Sequence, residues 1–144
     1  MIELRQLAGA DPSLPLLVVG PSLGTSVMAL WSPVAHRLAG RFRVVGWDLP
    51  GHGERPVLRE PVDLADLAAD VRDRLPEGPV HLVGFSLGAL ISQWIARHAP
   101  DRVATLSCVS SVCRRTEEAA AQVVETSWDT LRPDSRTAAL TASS

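Results

Sequence analysis

Val80 to Pro100 reads VHLVGFSLGALISQWIARHAP, and this stretch decides the fold. Its first six residues, Val80 to Phe85, form a strand-length apolar run rich in valine. From Gly88 onward Leu90, Ile91, Trp94 and Ile95 recur at helical spacing, and Pro100 ends the pattern. Between the two lies Gly84-Phe85-Ser86-Leu87-Gly88, a match to G-x-S-x-G. A serine on so sharp a strand-to-helix turn needs a strained backbone, and glycines beside it prevent side chains from striking neighbouring main chain. The turn lifts the hydroxyl clear of the sheet and sets it at a helix N-terminus, where the dipole and free N–H groups favour developing negative charge. The five-residue pattern alone is common, and a plain βα turn with packing glycines would share it. The strand before and the helix after are what single out Ser86 as a candidate nucleophile.

The same alternation extends in both directions. Leu14 to Val19 (LPLLVV), Phe42 to Trp47 (FRVVGW) and Val103 to Val109 (VATLSCV) are further apolar runs of strand length. Unbroken rather than alternating patterning predicts strands covered on both faces, as in a parallel sheet. Ser32 and Pro33 predict a helix start, with proline at the first helical position, Val34, Ala35 and Leu38 as its stripe, and Gly40 as its stop. Asp63 caps a second helix. Leu64, Leu67, Val71 and Leu75 share one face of it, Asp66, Asp70, Arg72, Asp73 and Arg74 point elsewhere, and Pro76 ends it. The fold class expected is α/β, a parallel sheet with helices on both faces.

Composition narrows the function classes. With 46% hydrophobic residues in a 144-residue chain, one real core can form. Basic and acidic residues number 14 and 16, and no block of like charge stands out, which argues against a nucleic-acid or membrane partner. No stretch is apolar enough to span a bilayer, and MIELRQLAGADPSLP has no secretory pattern, so the expected location is the cytoplasm. Cys108 and Cys113 make no disulfide framework and no metal site, and Cys108 is expected to pack as a small hydrophobe.

Two loops accompany the serine turn. Gly20-Pro21-Ser22-Leu23-Gly24-Thr25 follows the first strand. A phosphate-cradling role fits it poorly, because it holds neither G-x-G-x-x-G nor a Walker lysine. Asp48-Leu49-Pro50-Gly51-His52-Gly53 follows the second strand, and its glycines suit a forced turn near the mouth of a site. His52 is expected to be structural there, since no other histidine stands at metal-ligand spacing. His36 and His98 fall on helices and His81 in mid-strand, with no stronger catalytic claim.

The stretches GPSLGTSVMALWSPVAHRLAGRFRVVGWDLPGHG, DLADLAADV and VHLVGFSLGALISQWIARHAPDRV together resemble the α/β-hydrolase family, over about residues 14 to 109. Within it they are most similar to the 3-oxoadipate enol-lactonases of the β-ketoadipate route of aromatic catabolism. The resemblance implies a lactone or ester hydrolase acting on a small molecule, with Ser86 as nucleophile. It also implies an oxyanion hole made by the backbone N–H groups of Ser22 and Leu87, elbow glycines Gly84 and Gly88, and neither cofactor nor metal. Two departures are visible. Gly20-Pro21 stands where many relatives carry His-Gly, and Ala89 replaces a second glycine after the elbow.

The family's acid and histidine follow later strands, beyond a helical cap. Here no histidine follows His98, and the alternative acid position reads Ser110-Ser111. The expectation is therefore a partial α/β-hydrolase fold lacking the cap and C-terminal strands. Residues 1–109 would be the N-terminal part of the core. Residues 110–144 would be a polar, partly helical or disordered tail, either the start of a cap region or an aberrant end, with Thr116 to Val124 as its helical candidate. Such a chain would be inactive alone. Two other readings stand beside it: a catalytically dead binding or regulatory remnant, and a different esterase or peptidase of the same fold. The exact substrate and the oligomeric state are not encoded.

Overall fold

The structure, a computed structural model, describes residues 2–111. Four strands are parallel: β2 (Leu16–Gly20), β3 (Arg43–Gly46), β4 (Val80–Phe85) and β5 (Val103–Val109). A further strand, β1 (Arg5–Ala8), pairs antiparallel with β3 and completes the sheet in the order β1-β3-β2-β4-β5. The alternation of strand and helix is as the sequence predicts. The antiparallel β1 was not legible in it: four residues, RQLA, with only Leu7 buried, carry too little pattern.

Residues of β2 alternate between two cores. Leu17 and Val19 meet Val44 and the buried face of α1 (Val27–Leu38), formed by Val27, Trp31 and Ala35. Val18 faces the other way, toward Leu82, α2 (Leu64–Arg74) and α3 (Leu87–His98), with Leu67, Val71, Ile91 and Ile95 at the centre. One helix on one face and two on the other follow from the strand order. The chain leaves β2 for β3 on one side, then returns past β2 to β4 on the other. The carboxyl ends of β2 and β4 are therefore the switch point, where open α/β sheets form their crevice.

The first helix starts earlier than its sequence signals suggested. Ser26 is the cap, its hydroxyl accepting the Ala29 N–H at 3.1 Å, and Pro33 lies inside α1 instead of at its start. Pro33 cannot bond the Ala29 carbonyl one turn back. Both residues are exposed, so water can serve that carbonyl, and the buried stripe Val27-Trp31-Ala35 runs through the proline on the opposite side. The second helix begins as expected, with Asp63 accepting the Asp66 N–H at 2.8 Å, and it stops at Leu75-Pro76. There the Arg102 guanidinium covers the Leu75 and Pro76 carbonyls at 2.8 and 2.9 Å.

Cys108 does not pack as a small hydrophobe. β5 is one of the two edge strands of the sheet, opposite β1, and is exposed over nearly its whole length, Leu106 and Val109 included. The Cys108 thiol is exposed as well, near the Gln93 amide at 3.5 Å. An apolar run marks a strand, but burial depends on what lies over it, and here one strand edge is unpaired among the described residues. The proposed tail, with its helical candidate and Cys113, lies outside the described residues from position 112 onward.

Candidate active site

Ser86 occupies the joint between β4 and α3 with φ 52° and ψ −110°, a region that residues with side chains rarely enter. Its side chain is exposed while Leu87, Gly88 and Ala89 behind it are buried. Three bonds hold the turn. The Ser86 N–H donates to the Val109 carbonyl at 2.9 Å, and the Ser86 carbonyl accepts from Ala89 and Leu90 at 3.0 and 3.2 Å. Ser110, just past the accepting carbonyl, is the other non-glycine residue with positive φ among those described.

The flanking glycines are there for space. A Cβ on Gly84 would lie 2.3 Å from the Gly88 carbonyl, and one on Gly88 would lie 2.6 to 2.7 Å from the main chain of Gly20 and Pro21. The elbow thus presses directly on the loop after β2. The Gly88 N–H donates to the Pro21 carbonyl at 3.0 Å. In a trans peptide the N–H points away from the C=O, so this bond turns the Ser22 N–H to the opposite edge of the Pro21–Ser22 peptide. The Leu87 N–H, first in its helix, has no intrahelical partner. The two N–H groups expected as oxyanion donors thus belong to peptides adjoining a single backbone contact.

The Gly20–Val27 loop is fastened along its length. The Trp31 indole N–H donates to the Gly20 carbonyl at 2.9 Å, and Ser26 caps α1. The Val27 N–H donates to the buried Asp48 carboxylate at 2.6 Å, and the Gly24 N–H donates to His52 Nε2 at 2.9 Å. Asp48 and His52 were not singled out from sequence as partners of this loop. The D-x-P-G-H-G stretch was visible, but nothing in it names Gly24 or Val27.

No histidine here is placed as a base for Ser86. His36 bonds the Ser32 carbonyl, His81 the Thr105 hydroxyl and His98 the Trp94 carbonyl, while His52 is engaged at both nitrogens. Among the described residues no three His, Cys, Asp or Glu side chains gather as for a metal ion. No helix among them is long and apolar enough to cross a membrane. A polar recess lined by Glu3, Leu4, Arg5, Asp48, Glu54 and Arg55 shares none of its walls with the elbow.

A pimeloyl-[acyl-carrier protein] methyl ester esterase of Methylococcus capsulatus is 41% identical over 85 residues, which are 59% of this chain and 33% of that enzyme. A hydrolase of Pseudomonas aeruginosa PA01 superposes with a TM-score of 0.75 at 34% identity, over 96% of this chain and 52% of that one. The enol-lactonase of Burkholderia xenovorans LB400 superposes with a TM-score of 0.65 at 28% identity, over 73% of this chain and 41% of that one. The match thus spans about a third of the curated esterase and about half or less of the two solved structures. The sequence model of the alpha/beta hydrolase fold matches residues 15–143. With its doubly covered parallel sheet and a strained serine between β4 and α3, the chain belongs to the α/β-hydrolase family.

Proposed function

We propose that Ser86 is the nucleophile of a carboxylic-ester or lactone hydrolase, with the N–H groups of Ser22 and Leu87 as its oxyanion hole. One observation carries this reading: an exposed serine at φ 52° on a strand-to-helix turn, packed against a loop whose Pro21–Ser22 peptide is oriented by the Gly88 N–H. In the reaction the Ser86 oxygen bonds to the carbonyl carbon, and the carbonyl electron pair moves onto oxygen, between the two N–H groups. Collapse expels the alcohol, or opens the ring of a lactone, and the leaving oxygen takes up a proton. Water then cleaves the acyl-serine.

The proton of Ser86 needs an acceptor. The four histidines of the 144 residues are committed elsewhere, and none of them is placed as that acceptor. In a serine protease, loss of the triad histidine lowers kcat by about 10^6. The 144-residue chain alone is therefore expected to be a very slow esterase.

The identity to the methyl ester esterase favours an acyl methyl ester as substrate, and the superposition on the enol-lactonase favours a small lactone. The test joins the chain to the remaining two thirds of the Methylococcus esterase. A fluorophosphonate should label the joined protein at Ser86, and Ser86→Ala should abolish labelling. Labelling that survives the substitution overturns the assignment. A pimeloyl methyl ester and an enol-lactone, compared by kcat/KM, then decide between the two substrate classes.

A further inference from the structure

His52 sits between two glycines in the left-handed region, Gly51 at φ 74° and Gly53 at φ 57°. The loop is closed on itself: Gly51 N–H to the Pro56 carbonyl, His52 N–H to Leu49 and Arg55 N–H to His52, each at 2.9 to 3.0 Å. It is also packed on Asp48, for a Cβ on Gly53 would lie 2.5 Å from that carboxylate. His52 is 7% exposed, with Nδ1 2.9 Å from the Pro50 carbonyl and Nε2 2.9 Å from the Gly24 N–H. A carbonyl can only accept and an amide N–H can only donate. The contacts therefore select one form of the ring, neutral, with the proton on Nδ1 and a lone pair on Nε2 facing Gly24.

A buried imidazole with both nitrogens matched across a loop junction does more than fill space. Gly24 itself is exposed at φ 83°, with open space where a Cβ would lie. Its N–H bond to His52 ties the middle of the Gly20–Val27 loop to the fold, beside Leu23, which packs against the core under α2 and α3. Upstream, the Gly88–Pro21 bond orients the Ser22 peptide, and the Trp31 indole holds the Gly20 carbonyl beside it. Downstream, Asp48 grips Val27, three residues beyond Gly24.

We propose that His52 is a positioning residue for the oxyanion loop: its Nε2 accepts the Gly24 N–H and so keeps the Ser22 N–H on target. The proposal rests on the Ser86 reading above. Phenylalanine at 52 keeps the ring and loses both nitrogens. Glutamine can place its carbonyl oxygen where Nε2 lies, and asparagine can keep only the donor to Pro50.

Hydrogen exchange by mass spectrometry on the full 144-residue chain tests the clamp, with the α2 peptide 64–75 as internal reference. In His52→Phe and His52→Asn, amides of the 20–27 segment should exchange about ten-fold faster, while 64–75 keeps its rate. His52→Gln should return the segment to within about three-fold of the parent. Unchanged exchange in His52→Phe, or glutamine behaving like phenylalanine, overturns the proposal. If phenylalanine unfolds the chain, 64–75 exposes this, and the glutamine–asparagine contrast decides. In the joined enzyme, His52→Phe should lower kcat about ten-fold with KM within two-fold, again rescued by glutamine. A change in KM alone overturns the link to the oxyanion hole. A Ser86 that never takes the fluorophosphonate, beside exchange that still follows residue 52, sinks the nucleophile reading and leaves the clamp standing.

Discussion

The turn at Ser86 and the Gly20–Val27 loop beside it are held in place by different means. The turn is shaped mainly by its own neighbours. Gly84 and Gly88 clear the space, and the Ser86 carbonyl takes the N–H groups of Ala89 and Leu90. The loop is held by side chains far along the chain: Trp31, Asp48 and His52 lie 11, 21 and 28 positions from their partners. A local motif stores its geometry in sterics that few distant substitutions can disturb. A loop held by remote hydrogen bonds is only as good as the elements that deliver them.

The harshest way to break the turn is Gly84→Ala. The new methyl would fall 2.3 to 2.4 Å from the main chain of Gly88 and Ala89, atoms that cannot move aside. A loss of about 3 kcal/mol is expected in urea unfolding followed by tryptophan fluorescence. A loss below about 1 kcal/mol would show that the turn yields easily.

On the loop side, Asp48→Ala leaves the buried Val27 N–H without its acceptor, for an expected loss of about 2 kcal/mol. Asp48→Asn keeps an oxygen in place and should lose about half as much. Equal losses would mean that the charge at the start of α1 matters, and the hydrogen bond itself does not.

Ser86→Gly sharpens the contrast, because it should stabilise. Relief of the φ 52° conformation is worth about 1 kcal/mol, read in the same unfolding assay, at the expense of any Ser86-dependent labelling. A destabilised glycine variant would mean that the turn holds no strain.

The smallest effect belongs to Glu3→Gln, at the outer end of the 48–55 loop. The Arg55 guanidinium, 2.6 Å away, holds the exposed Glu3 carboxyl below its ordinary value. A carboxylate with a lowered folded pKa stabilises above its unfolded value, and that contribution is lost as pH falls through the folded one. The melting temperatures of parent and variant should therefore differ slightly near neutrality and converge on acidification. A difference that widens in acid would contradict the pairing.

Much of this molecule was legible before the fold was known, and each failure has a cause. The β4–turn–α3 unit was readable because valine run, glycine spacing and helical stripe all lie within twenty-one consecutive residues. Asp63 was readable as a cap because a cap bonds only two or three positions ahead. Pro33 misled because proline at a helix start is a local preference. The stripe Val27-Trp31-Ala35 became decisive only once β2 and β3 offered a surface to bury it.

The sequence by itself determined the parallel α/β architecture, the family and the position of the strained serine, because these depend on periodicity and on contacts between near neighbours. Tertiary structure alone decided that β1 would pair antiparallel at one edge and that Cys108 would be exposed at the other. It alone also decided that Asp48 and His52 would grip the Gly20–Val27 loop. Those outcomes depend on which segments meet in space, and a hydrogen bond between residues 24 and 52 exists only when β2 and β3 lie side by side.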